Sequence, residues 1–186
     1  MEQIVQLNAN AKLSEHLASP SEAALGHSNK LDGSHLSPNF TLGELTKSGS
    51  HPEVYNIPSH EAIANLKRVC EWLEILRKAH GGPIIINSGY RSPQLNRKIG
   101  GAANSNHLTG CAVDIRTSGM EQAICYAAIL IKYSKESNQD FDELLIEKNR
   151  YGAVWVHFAV RPKDRSATQG DACQSKNRRK VAFLNA

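Results

Sequence analysis

The chain has 186 residues, 40% of them hydrophobic, with a formal net charge of +4 and a pI near 8.9. That length suits one globular domain with a sizeable core and is too short for two comfortable ones. Apart from a cluster over 176–180 the basic residues are scattered, so no nucleic-acid partner is expected, while an anionic polymer such as cell wall stays open.

No apolar run reaches the roughly 18 residues of a membrane span. The opening Met1-Glu2-Gln3-Ile4 lacks the basic start and apolar stretch of a signal peptide. A soluble product made in the cytoplasm is therefore expected. The four cysteines contain no Cys-x-x-Cys pair, which fits neither a thiolate zinc site nor a dense disulfide framework. Cys70 and Cys125 read as core residues on helices.

From about 8 to 38 the chain is rich in Asn, Ser, Ala, His and Gly without sustained periodicity. Residues 1–38 read as a flexible arm or linker and 39–186 as the folded domain. Phe40, Leu42 and Leu45 then give a short amphipathic turn. Ile63, Leu66, Val69, Cys70, Leu73 and Leu76 recur at helical steps, with Ser59 as N-cap and Gly81-Gly82-Pro83 as the stop. Residues 83–87 form a short β-branched run that reads as a buried strand.

Ser92-Pro93 predicts a capped short helix ending at Gly100-Gly101. Cys111 to Ile115 reads as a strand. Ser118-Gly119-Met120-Glu121 has capping-box spacing for a helix carrying Ile124, Ala128 and Ile131. Residues 141–147 and 153–160 predict two strands of an antiparallel hairpin. Without regular βαβ alternation, this order favours an α+β domain on a small, mostly antiparallel sheet flanked by helices.

His107 precedes a strand and His157 lies within one, so strand pairing could bring both imidazoles and Asp114 to a common point. Two neutral imidazoles and a carboxylate suit a borderline dication such as zinc, leaving a fourth position for water. Asp114 between Val113 and Ile115 is costly to bury without a partner. Glu147, across the hairpin from the His157 strand, is the nearest candidate base. Each residue also has a plainer reading: a surface or hydrogen-bonded His107, a satisfied core His157, a solvated strand end at Glu147. Arg91, in the turn Ser88-Gly89-Tyr90-Arg91-Ser92, could hold a substrate carboxylate by bidentate hydrogen bonds or simply lie on the surface. A cysteine hydrolase using Cys111 with His107 is a third arrangement to weigh.

Taken together, Ser88-Gly89-Tyr90-Arg91-Ser92, Gly100-Gly101, Ser105-x-His107-x-x-Gly110-x-Ala112-x-Asp114, Phe141-Asp142 to Glu147, and Trp155-Val156-His157 resemble the zinc D-alanyl-D-alanine carboxypeptidase family, in its phage-type and bacterial members. The likeness runs from about Asn39 to Arg178, and the hedgehog signalling domain, which shares the fold, is similar over residues 105–115 and 141–147. The resemblance implies one Zn2+ held by His107, Asp114 and His157, and cleavage of peptidoglycan stem peptides by a carboxypeptidase or endopeptidase. It further implies Glu147 as general base, Arg91 as a catalytic and anchoring group, and Tyr90 and Ser105 as further substrate contacts. A monomer acting at the cell wall, if phage-encoded or released, is the matching expectation. The chain departs from relatives that carry a Glu three residues before the last ligand, where Val154 stands, and from hedgehog at Trp155, where a second histidine is found. Trp155 keeps open a non-catalytic, zinc-stabilised binding module for cell wall or a protein.

Overall fold

A computed structural model describes residues 33–161 and 180–185. The first elements are β1 (His35–Ser37), β2 (Phe40–Thr41) and α1 (Leu42–Thr46). β1 lies within the segment expected to be an arm; residues 1–32 of that segment, and Cys173, Asn177 and Arg178, are outside the described residues. Thr41 and Glu44 cap α1 reciprocally, each side chain bonding the other's backbone N–H. Glu74 anchors the lead-in by accepting from Ser37 Oγ at 2.7 Å and Asn39 N at 2.8 Å.

The long helix α2 (His60–His80) begins at the expected Ser59 cap, whose side chain accepts from the Ala62 N–H. It ends at Gly81, where φ is 79°. The apolar face read from periodicity is the buried one, widened by Ala62, Asn65 and Trp72. β3 (Ile86–Ser88) is shorter and later than expected: Ile84 is buried but Ile85 is exposed, because β3 is an edge strand. α3 (Pro93–Lys98), capped by Ser92, and β4 (Ala112–Arg116) follow as anticipated.

α4 (Met120–Ser137) forms, but without the expected capping box: Gly119 is its N-cap, and the Gln122 side chain reaches back to the Ser118 N–H at 2.7 Å. Its buried face is Ala123, Tyr126, Ala127, Leu130 and Ser134, one position away from the predicted stripe. Ile124 and Cys125 are consequently exposed, so Cys125 is not a core residue.

β5 (Glu143–Lys148) and β6 (Val154–Ala159) make the predicted hairpin. A last strand, β7 (Lys180–Asn185), was not anticipated; it pairs parallel to β5. The sheet order is β3-β4-β6-β5-β7, antiparallel except at that edge. The fold is therefore α+β, as expected. Among the described residues no helix is long and apolar enough to cross a membrane.

One sheet face meets α2 and α4 through Val113, Ile115, Leu144, Ile146, Val156 and Phe158. Trp72 is the hub of this core, edge-on to Tyr133 at 4.9 Å and to Phe141 at 6.1 Å between ring centroids. Such pairs contribute about 0.5–1.5 kcal/mol each beyond the area they bury. The opposite face carries the polar residues, since side chains alternate along each strand.

Candidate metal centre

The register sets three parallel rows on the polar face, because directly opposed residues of neighbouring strands share a side. The middle row runs Ser88, Asp114, His157, Leu145 and Ala182 across all five strands. One flanking row holds Ala112, Ala159, Glu143 and Lys180, and the other Arg116, Trp155, Glu147 and Leu184. Glu143 and Glu147, two residues either side of Leu145, therefore straddle the row that contains His157.

His107 joins from a 3-10 turn, Asn106–Thr109, whose cap is Ser105 and whose end is Gly110. Gly110 has φ 71°, and a Cβ there would come within 2.4 Å of Ala62 O, so the turn needs glycine for both conformation and space. His107 Nε2 lies 3.3 Å from Asp114 Oδ1, and His157 Nδ1 lies 2.9 Å from the same oxygen. All three residues are buried, and one ligand atom from each falls within 4.8 Å of the others. Zinc bonds of about 2.0–2.2 Å at tetrahedral angles put donors roughly 3.3–3.5 Å apart. The His107–Asp114 spacing matches, the His157–Asp114 spacing is that of a hydrogen bond, and the two-imidazole, one-carboxylate chemistry suits the ion.

Neighbouring groups orient these donors. His107 Nδ1 donates to Gly89 O at 2.6 Å, which leaves Nε2 as the nitrogen free to coordinate a metal. Arg91 donates from Nη2 to Asp114 Oδ2 and from Nε to Ser88 Oγ at 2.9 Å, bracing the carboxylate so that Oδ1 faces the imidazoles. Burial works against the Asp114 charge, but His107 and His157 beside it hold its carboxyl far below the usual range. The turn carrying Arg91 is fastened by Asn56, which donates to Thr46 O and Tyr90 O and accepts from Ser92 N.

A cleft of about 620 Å³ opens over the centre, a size typical of ligand sites. Arg91, Ser105, His107, Asp114, Glu147 and His157 all line it. Tyr90 does not: its ring packs in the core, 7% exposed, while its N–H donates to Leu45 O at 2.7 Å. Val154 packs in the core too, on the face away from the cleft, so no carboxylate could serve from that position without leaving the core. Glu147 is half-buried, and its side chain makes no hydrogen bond or ion pair with another described residue. Cys111 is fully buried and burial pushes its thiol pKa up, which disfavours a nucleophilic thiolate.

Several residues that build the cleft escaped the sequence reading. Glu143 contacts His157 Nε2, and that contact leads the effects holding its carboxyl down at about 2. Lys180 and Leu184 enter from β7. Asn96, 3% exposed, donates to Gly101 O and Ala102 O and so fastens the loop forming one wall. A polar residue at a helical core step was the available signal for Asn96; β7 had none.

In the metal-free protein burial opposes protonation of His157, but Asp114 and Glu143 outweigh it and raise the pKa to about 9. Coordination requires the neutral ring. Calorimetry in buffers of different ionisation enthalpy should thus show about one proton released per zinc at pH 7.5, with apparent affinity rising until about pH 9. The folded value lies above the unfolded one of roughly 6.5. The protonated ring therefore stabilises the metal-free fold fully below pH 6.5, and denaturant midpoints should fall as pH rises through about 9.

The zinc D-Ala-D-Ala carboxypeptidase of Streptomyces albus G is 33% identical over 108 residues, which cover 58% of this chain and 40% of that protein. The structure of the Serratia marcescens L-Ala D-Glu endopeptidase ChiX aligns with 63% of this chain and all of its own at 17% identity and a TM-score of 0.38. A family model described as Peptidase M15 matches residues 38–150, a span that includes His107, Asp114 and Glu147 and stops seven residues short of His157. With more than half of its length matched in this way, the chain belongs to the peptidase M15 family.

Proposed function

We propose that the protein is a zinc-dependent peptidase that cuts peptidoglycan stem peptides, as a D-Ala-D-Ala carboxypeptidase or an endopeptidase. The observation that carries this reading is the His107, Asp114 and His157 donor set with an unpaired Glu147 carboxylate in the same cleft. His107, Asp114 and His157 would hold one zinc ion, which would supply Lewis acidity to a water and to the scissile carbonyl. Glu147 takes the proton from the attacking water and returns it to the leaving amine. Arg91 spends Nε and one Nη2 bond on Ser88 and Asp114, so its remaining N–H groups are available for a peptide carboxylate or carbonyl. Ser105 accepts from the His107 N–H at 3.4 Å and holds the ligand turn at the cleft wall.

The activity for which the Streptomyces albus G relative is named supports the substrate class, and the cleft volume of about 620 Å³ is that of a ligand site. Mass spectrometry of purified peptidoglycan fragments incubated with zinc-loaded protein should show loss of a terminal residue or cleavage within the stem. Chelation should abolish the product and thiol alkylation should not. Bound zinc with no product from any stem peptide would instead identify a binding module, with Trp155 as its aromatic contact in the cleft.

A further inference from the structure

Glu143 has no part in the proton transfer above, yet it is held on three sides. Its Oε2 lies 3.4 Å from His157 Nε2 and 3.2 Å from Asn106 Nδ2, and its Oε1 lies 3.4 Å from Lys180 Nζ. His157 turns Nδ1 toward Asp114, so Nε2 is the ring nitrogen left to donate outward. We propose that Glu143 is a positioning residue that fixes the orientation and tautomer of His157, and that Lys180 of β7 holds Glu143 in place. The inference rests on the metal-centre reading.

An imidazole rotated by half a turn about its Cβ–Cγ bond exchanges Nδ1 for a carbon, which cannot coordinate. An acceptor fixed at Nε2 opposes that rotation and keeps the proton on Nε2, leaving the Nδ1 lone pair for the ion. His107 obtains the same service from the Gly89 carbonyl, which main-chain geometry fixes. Glu143 is a side chain half-open to solvent, so it needs its own anchors, and Lys180 and Asn106 provide them. Because Lys180 is on β7, which pairs with β5 at the sheet edge, docking of the last strand and aim of a ligand become linked.

The test measures zinc affinity of the full chain by competition with a chromophoric chelator, together with the visible spectrum of the cobalt(II) form. Glu143→Ala should weaken affinity by about 10- to 100-fold and alter the cobalt bands. Glu143→Gln, which keeps volume and an acceptor oxygen, should recover most of that loss, and Lys180→Met should show a smaller loss in the same direction. Each metal-free variant should still unfold in one cooperative transition, with Glu143→Ala below the wild type because the charged His157 ring loses a partner; a retained transition separates aim from loss of fold. Wild-type affinity and spectrum in Glu143→Ala, or equal loss in Ala and Gln variants, would overturn the positioning role; wild-type affinity in Lys180→Met would overturn the link to β7. A wild-type chain that takes up no zinc would overturn the metal centre itself and this inference with it.

Discussion

Glu147→Gln is expected to lower kcat on a stem peptide by about 100- to 10,000-fold, or about 3–5 kcal/mol in the barrier, while zinc remains stoichiometric. The substitution keeps the shape and removes only the ability to carry a proton. Glu147 is not one of the three proposed donors, its carboxylate hydrogen-bonds no other described residue, and its charge reaches the site only through space at His157, so its loss should leave the donor set in place. Steady-state kinetics with metal analysis of the same preparation checks both halves. Unchanged turnover would remove Glu147 from the mechanism, and loss of zinc would show that it holds the ion.

Gly89→Ala is expected to be among the most damaging substitutions outside the ligands. A Cβ at this position would lie 2.2 Å from Leu45 O and 2.9 Å from Leu45 C, both backbone atoms that no rotamer change can move. The turn must shift, breaking the bond from Tyr90 N to Leu45 O and carrying the Gly89 carbonyl away from His107 Nδ1. Overpacking of this kind costs about 1–3 kcal/mol, and the lost bond and freed ligand place this case at or above the upper end. Urea unfolding with and without zinc measures both effects: the metal-free midpoint should fall, and the extra stability conferred by zinc should shrink. A wild-type midpoint would mean that α1 yields to the turn at little cost.

The clustering of His107, Asp114 and His157 was legible in outline, since strand pairing could bring two imidazoles to a carboxylate in an apolar strand. The spacing fitted a plain loop-to-strand transition as well, and the ligand set came from the family resemblance. Glu143 was not legible, because a charged residue at the start of a strand looks like a solvated end until the register shows His157 diagonally opposite it. The helix α4 was recognisable by period, yet its face was misassigned by one residue: Ile124 looked like core, while small Ala123 and Ala127 allow the close approach to the sheet. Arg91 was foreseen as a cleft residue, but its partnership with Asp114 links segments 23 positions apart, which local pattern cannot show. β7 joins after a long connection, and its exposed Val181 and Phe183 give it no buried stripe to announce it.

The placement of two carboxylates on one strand, four residues apart and on either side of Leu145, bears on how this protein can vary over generations. Replacing Glu143 or Glu147 alone changes one function and leaves the hydrophobic neighbours where they are. Inserting or deleting a single residue within β5 exchanges the faces beyond it, sending Leu144 or Ile146 toward water and a glutamate toward Trp72. Chemistry at this strand is thus open to gradual change by substitution, while its length is locked by the core it shares.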